Sequence, residues 1–99
     1  MGYYELGDYK FEWDDEKYKI NVKKHDVTFE MAAEVFLDDN RIDDFDEFHS
    51  DFEDRNIVIG LVEKVLVVIY TERRENIRII SARLANKKEQ EEYYGQFNY

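Results

Sequence analysis

The chain contains no cysteine and no proline, and its four glycines are scattered along 99 residues. Without cysteine it can form neither disulfide bonds nor thiolate metal sites, which is typical of proteins in a reducing cytoplasm. Nothing resembles a linker, and the length suits one domain spanning residues 1–99. No hydrophobic run approaches the roughly 20 residues of a membrane-spanning helix, and the N terminus lacks the layout of a signal peptide. We therefore expect a single cytoplasmic domain that does not enter a membrane.

Basic residues are few and unevenly placed. The formal net charge is -10, and residues 1–54 hold 18 acids against 6 bases. Residues 55–99 hold 8 bases against 6 acids, and six of those bases lie between Arg73 and Lys88. The acidic half would repel phosphate, whereas the basic stretch can hold it locally. The charge therefore argues against non-specific nucleic-acid binding, but it is compatible with one local phosphate site.

Several familiar site signatures are absent from the sequence. It has no Gly-rich phosphate loop, no nucleophile elbow and no His/Glu metal-binding spacing. The acidic run 43–54 lacks the glycine and the spacing of a calcium-binding loop, and we interpret His49 within it as structural. We expect no metal and no cofactor.

The first half of the chain predicts one strand and two helices. Tyr9, Phe11 and Trp13 alternate with polar residues, as in a half-buried strand. Asp14 is a suitable N-cap for a helix that reaches about His25. Thr28 is a suitable N-cap for a second helix, whose buried face is predicted from the spacing of Phe29, Ala32, Ala33, Phe36 and Leu37.

The second half predicts four strands and a last helix. A short edge strand is expected over 41–45, and the stretches 55–62, 65–72 and 77–83 are rich in Ile and Val. Asn86, with Glu89 three residues later, resembles a capping box. The order β-α-α-β-β-β-β-α predicts an α+β fold, with two N-terminal helices packed on an antiparallel sheet and a C-terminal helix.

The turn positions predict which arginines share a face of this sheet. If the last hairpin turns at 74–75, Thr71 lies opposite Arg78, and a preceding turn near residue 63 places Arg55 opposite Thr71. Guanidinium groups gathered in this way can grip phosphate oxygens in a bidentate manner. Arg55, Thr71 and Arg78 would thus form one row across three strands, and Arg73 lies two residues beyond Thr71 on the same side. The sequence therefore predicts a phosphate site built from Arg55, Arg73 and Arg78.

Simpler interpretations of the same residues stay open. The arginines could lie on a solvated sheet face, paired with the abundant Asp and Glu. The same counting places Arg83 at the far end of its strand, on the opposite face and just before the last helix. His25 at a helix end could be a favourable C-terminal charge rather than a catalyst.

Two groups of motifs resemble a known family. Phe11-Glu12-Trp13-Asp14, followed by the stretch from Asn21 to Phe29 with Lys24-His25 inside it, resembles the opening F-x-W-D and N-x-x-K-H-x-V-x-F of the BrnT toxins. Later blocks of that family are similar to Glu53-Asp54-Arg55, Gly60, 67–73 and 77–85. The resemblance covers roughly residues 10–94.

This resemblance implies a RelE-like fold, RNA cleavage without a metal, and inhibition of translation. It also implies a BrnA-type antitoxin partner that carries a DNA-binding domain, so that contact with DNA is indirect. The positions that match the family's motifs, and on which we expect the catalytic site, are His25, Arg55, Arg73, Arg78 and Arg83. His25, Lys24 or Glu72 could act as general base or acid. RNA contacts are expected from Lys24, Lys87 and Lys88.

Three features depart from the family pattern. Residue 26 is Asp where the family usually has Gly, residues 1–9 form a segment without a counterpart, and the acidity is greater than expected for a toxin directed at RNA. The alternative is therefore a non-catalytic interaction domain, a relative of the toxins whose acidic face only binds a protein partner.

Overall fold

A six-stranded sheet with helices on both faces makes up the computed structural model, which describes residues 1–47 and 54–97. In chain order the elements are strands β1 (Gly2–Leu6) and β2 (Tyr9–Trp13), helices α1 (Asp15–His25) and α2 (Phe29–Ala33), strands β3 (Ile42–Phe45), β4 (Asn56–Val62), β5 (Lys64–Arg73) and β6 (Asn76–Leu84), and helix α3 (Lys87–Gly95). A 3-10 turn over Glu34–Leu37 extends α2. The predicted α+β fold class is confirmed, while His49 and Glu53 lie outside the described residues. Within the described part of the chain, no helix is long and apolar enough to cross a membrane.

The helix boundaries follow from capping side chains, as predicted. The Asp14 carboxylate accepts a hydrogen bond from the Lys17 amide at 3.0 Å, and the Thr28 hydroxyl accepts one from the Met31 amide at 3.1 Å. A capping box opens α3 through the reciprocal hydrogen bonds of Asn86 and Glu89. The C-cap residue that follows α1 is Asp26, which adopts a left-handed backbone with a φ of 55°. This conformation favours Gly, so the Asp at this position tolerates strain that the usual family residue would avoid.

The strand order is β1-β2-β6-β5-β4-β3, and it differs from the expected sheet in two ways. The N-terminal segment that the sequence left unplaced forms the edge strand β1, antiparallel to β2. In addition, β2 pairs with β6 in parallel, through Phe11 opposite Ile77 and Glu12 opposite Arg78. The sheet is therefore mixed rather than wholly antiparallel. The parallel pair brings an N-terminal carboxylate beside a C-terminal arginine.

Each face of the sheet carries its own apolar cluster. Helix α2 covers one face, where Phe29 and Phe36 pack with Phe11, Val68 and neighbouring residues. Helix α3 covers part of the other face, here called the α3 face, where the buried residues are Ile59, Val65, Val67, Ala85 and Tyr93. The run from Val65 to Val68 is buried throughout, so the central strand β5 is covered on both faces.

Buried Asn21 ties α1 to the edge of β6. Its side-chain amide donates to the carbonyls of Val27 at 2.9 Å and Ala82 at 2.8 Å, and its oxygen accepts from the Ala82 amide at 3.0 Å. Only 4% of Asn21 is exposed, so water cannot replace these partners. The three hydrogen bonds fix the end of α1 against the second half of β6.

We expect Asn21→Ala to lower the free energy of unfolding by about 3 kcal/mol or more, because three buried backbone groups lose their partner. Urea denaturation followed by circular dichroism measures the change. The exposed Lys19 on the same helix provides the control, and Lys19→Ala should stay within about 0.5 kcal/mol of the wild type. A loss under about 1 kcal/mol for Asn21→Ala would show that the bonds add little.

Candidate active site

One row of residues crosses the α3 face from β4 to β1. Thr71 lies opposite Arg78, as predicted. Continuing the pairing of β4 and β5 by one residue places Arg55 opposite Thr71. On the other side, Arg78 is level with Glu12, and Glu12 is level with Tyr3. Because neighbours in such a row are about 5 Å apart, their side chains can act on one ligand.

Glu12 and Arg78 form an ion pair at the centre of this row. Nη2 of Arg78 lies 2.7 Å from Oε2 of Glu12, and Nε donates to the same oxygen at 2.9 Å. The side-chain amide of Asn76 donates to Oε1 at 3.0 Å. The Asn76 hydrogen bond, together with Arg78 and the charge of Arg73, lowers the pKa of Glu12, although burial acts in the opposite direction. Glu12 is therefore held as a carboxylate at neutral pH.

The pair lies beside a cavity of about 780 Å³ at the turn between β5 and β6. We call it the corner cavity, and its walls are Tyr3, Glu12, Arg73, Arg74, Glu75 and Asn76. Residues 72–75 of the turn are exposed, so the cavity is open to solvent. The wall thus holds two carboxylates, Glu12 and Glu75, and two guanidinium groups, so that one open cavity can accept a proton and stabilise a phosphoryl group at adjacent points.

Arg78 keeps donors for a ligand although it is paired. A guanidinium has five N–H groups, and Nε and Nη2 face Glu12, with Nη2 also 3.6 Å from the Met1 sulfur. Among the residues that the structure describes, nothing accepts a hydrogen bond from Nη1 of Arg78. Arg55 and Arg73 are engaged in interactions of their own. The predicted gathering of Arg55, Arg73 and Arg78 is thus present in the backbone register, but Arg78 is tied to a carboxylate.

Arg83 lies elsewhere, and the prediction that it occupies the opposite face is wrong. A bulge between Ile69 and Tyr70 leaves Ile80 without a cross-strand partner, so that Arg83 lies opposite Val67 and on the α3 face. Its guanidinium grips Glu89 with both nitrogens, at 2.7 and 2.9 Å. Four β5 residues separate the rows of Thr71 and Val67, which is roughly 13 Å of strand. Arg83 therefore anchors α3 and does not converge with the other arginines.

The remaining predicted residues also lie away from the corner cavity. His25 ends α1, one helical turn beyond Asn21, which is fixed to Ala82 in the second half of β6. Lys24 is exposed on the same helical turn, and Lys87 and Lys88 are exposed in the first turn of α3. Glu72 pairs with Ile77 and faces the side of the sheet opposite to Arg78. Of the three candidates for proton transfer, the structure brings none to the paired arginine.

Five residues of the cavity wall were not predicted from the sequence as site residues. These are Tyr3, Glu12, Arg74, Glu75 and Asn76. The alternation Phe11-Glu12-Trp13 predicts that Glu12 points away from the core, but it does not predict which strand lies beside it. The parallel pairing of β2 with β6 spans most of the chain, and no local pattern encodes it.

Comparisons with known proteins agree with the predicted family. The family model of BrnT, the ribonuclease toxin of a type II toxin–antitoxin system, matches residues 13–89. The crystal structure of the Brucella abortus ribonuclease toxin BrnT is similar, with 25% sequence identity and a TM-score of 0.59, over 78% of this chain and 96% of that one. No curated protein matches the chain. Because the family model covers well over half of its residues, the chain belongs to the BrnT family of ribonuclease toxins of type II toxin–antitoxin systems.

Proposed function

We propose that this protein cleaves RNA and that the corner cavity is its active site. The observation that carries the proposal is the position of the Glu12 carboxylate, held by Asn76 and Arg78 at the wall of a cavity that Arg73 and Arg74 also line. A positioned base beside cationic donors is what cleavage at an RNA 2′-hydroxyl requires. The similarity to a ribonuclease toxin supports the same reaction class.

The proposed reaction has one proton acceptor and a cationic phosphate site. Glu12 takes the proton of the 2′-hydroxyl, and the 2′-oxygen forms a bond to the adjacent phosphorus. The bond from phosphorus to the 5′-oxygen breaks, and that oxygen leaves with a proton from water in the open cavity. Arg73 and Arg78 stabilise the charge on the phosphoryl oxygens. The products are a 2′,3′-cyclic phosphate and a 5′-hydroxyl.

The assignment of the other predicted residues stays a prediction. Arg55 extends the arginine row toward the next phosphate of the strand. Proton transfer was predicted for His25 and RNA contact for Lys24, and both residues lie in the last turn of α1. RNA contact was also predicted for Lys87 and Lys88, which lie in the first turn of α3. Substituting each of these residues by alanine and measuring the rate of RNA cleavage tests its predicted role.

Membership of a type II family implies an antitoxin that binds this chain, and an RNA substrate. We propose that the antitoxin is of the BrnA type, that it brings DNA binding to the complex, and that the toxin acts in the cytoplasm by stopping translation. The negative charge of the chain suits a basic partner.

A second candidate function has its own observation. Arg78 and Arg83 each pair with a carboxylate, at 2.7 Å in both cases, as expected if the arginines only stabilise the fold. With a net charge of -10, the chain would then be a non-catalytic domain that binds its partner. Both functions include binding of an antitoxin, and they differ in whether the protein cleaves RNA.

Induced expression in a bacterial host separates the two functions. We expect growth arrest and messages cut to fragments with 5′-hydroxyl ends, both relieved by co-expression of the antitoxin. The measurement is the growth rate together with sequencing of RNA ends. Normal growth and intact RNA, with soluble toxin and retained antitoxin binding, would support the interaction domain instead.

A further inference from the structure

Strand β1 lies outside the stretch that the family model matches, yet it forms one wall of the corner cavity. The matched stretch begins at Trp13, whereas β1 runs from Gly2 to Leu6. Tyr3 is its contribution to the cavity wall. A strand that adds a residue to the site while lying outside the family pattern is a place where this chain can differ from its relatives in substrate binding.

Strand β1 is held firmly against β2. The two strands pair over five residues, from Gly2 opposite Trp13 to Leu6 opposite Tyr9. The N-terminal ammonium lies 2.8 Å from a carboxylate oxygen of Asp15. Gly2 packs directly on the indole of Trp13, since an added Cβ would lie 1.9 Å from its Nε1. Tyr3 is therefore presented from an anchored strand rather than from a loose terminus.

Tyr3 is the exposed aromatic residue of the cavity. It is 69% exposed, whereas the adjacent Tyr4 turns to the other face and packs near Trp13, with ring centroids 6.4 Å apart. Tyr3 lies directly opposite Glu12, which in turn lies beside Arg78. An exposed ring next to cations is the arrangement by which proteins hold single-stranded nucleic acids, with bases stacked on the ring and phosphates on the cations.

We propose that Tyr3 stacks an unpaired nucleobase of single-stranded RNA next to the scissile phosphate. This deepens the proposed ribonuclease function and rests on it. A base inside a duplex has no free face to offer, so the substrate is a single-stranded segment. Arg73 and Arg74 line the same cavity as the ring, beside the carboxylates of Glu12 and Glu75, and these two cations can hold the phosphate next to the stacked base.

The test is binding of a short single-stranded RNA of mixed sequence with 2′-fluoro groups, which lacks the attacking hydroxyl. We expect Tyr3→Ala to raise the Kd measured by fluorescence anisotropy by about 5- to 150-fold, the range for loss of one base-stacking ring. Tyr3→Phe should stay within about twofold of the wild type, because stacking needs the ring and not the hydroxyl. Tyr94, 48% exposed on α3, is the matched control, and Tyr94→Ala should leave the Kd unchanged.

Four results would overturn the inference. Equal RNA affinity of Tyr3→Ala and wild type would remove Tyr3 from the RNA site while leaving ribonuclease activity to be measured on natural RNA. Equal weakening by Tyr3→Ala and Tyr94→Ala would show unspecific contact. Weakened binding of the antitoxin with unchanged RNA binding would assign Tyr3 to the protein partner. If the wild type neither binds nor cleaves RNA, the proposed function fails first and this inference fails with it.

Discussion

Arg78→Ala is expected to reduce the rate of RNA cleavage by about a hundredfold or more, because a cationic donor at the developing phosphoryl charge is lost. The guanidinium lies 2.7 Å from Glu12, so its removal affects both the proposed base and the proposed phosphate site. Single-turnover cleavage of a labelled RNA measures the effect. In the host, the same variant should no longer arrest growth.

The control variant for Arg78→Ala must show whether the effect comes from the loss of any positive charge or from the position of Arg78. Arg41→Ala removes one positive charge directly before β3, the strand at the edge of the sheet opposite to the corner cavity. We expect its cleavage rate to stay near that of the wild type. Both variants must retain cooperative unfolding and antitoxin binding, since loss of Arg78 leaves the half-buried Glu12 without its cation. A folded Arg78→Ala protein that cleaves RNA at the wild-type rate would remove this arginine from the mechanism.

The hairpin register could be predicted because local residues determine it. The turns lie at Glu63 and at Arg74, each with a positive φ, and they set Thr71 opposite Arg78 without reference to the rest of the chain. The helix caps were predictable for the same reason, because each involves residues at most three apart in sequence.

Features that depend on distant residues were not predictable. The bulge at Ile80 places Arg83 on the same face of the sheet as Arg78 rather than on the opposite face, and nothing in the Ile and Val pattern of β6 indicates it. The partner of Arg78 is Glu12, 66 residues away, and it arrives through a parallel pairing. The candidate site was therefore predicted only in part: Arg73 and Arg78 were predicted from the sequence, whereas Glu12 and Tyr3 were not.

The two arginine–carboxylate pairs have different surroundings, and this difference favours a catalytic role for only one of them. Both oxygens of Glu89 are gripped by Arg83, and one also caps the amide of Asn86 at the start of α3. That pair fastens a helix to the sheet. Glu12 instead faces the corner cavity beside two further arginines, where a phosphate can compete for the cations. The presence of an ion pair therefore does not by itself exclude catalysis at Glu12.

Glu12→Gln is expected to reduce cleavage by about 10²- to 10⁴-fold, because glutamine cannot accept the proton of the 2′-hydroxyl. The side chain keeps its size, and Asn76 can rotate its amide to keep the hydrogen bond, so the fold should survive. Glu89→Gln is the matched control: it alters the equivalent ion pair on α3, away from the cavity, and should leave the rate near that of the wild type. Both are measured in single-turnover assays on the same labelled RNA.

The pH dependence of cleavage distinguishes a base from a merely structural carboxylate. The pKa of Glu12 is lowered from 4.5, so its basic form, and the stability gained from its partners, are present above that pH and lost as the pH falls through the lowered value. In a plot of the wild-type cleavage rate against pH, the fall of the rate on the acid side, here called the acid limb, should therefore lie below pH 4.5. Arg78→Ala removes one cause of the lowering and should shift the limb of its residual activity to higher pH. A limb that stays in place in Arg78→Ala, or a Glu12→Gln protein that cleaves at the wild-type rate, would show that Glu12 does not take the proton.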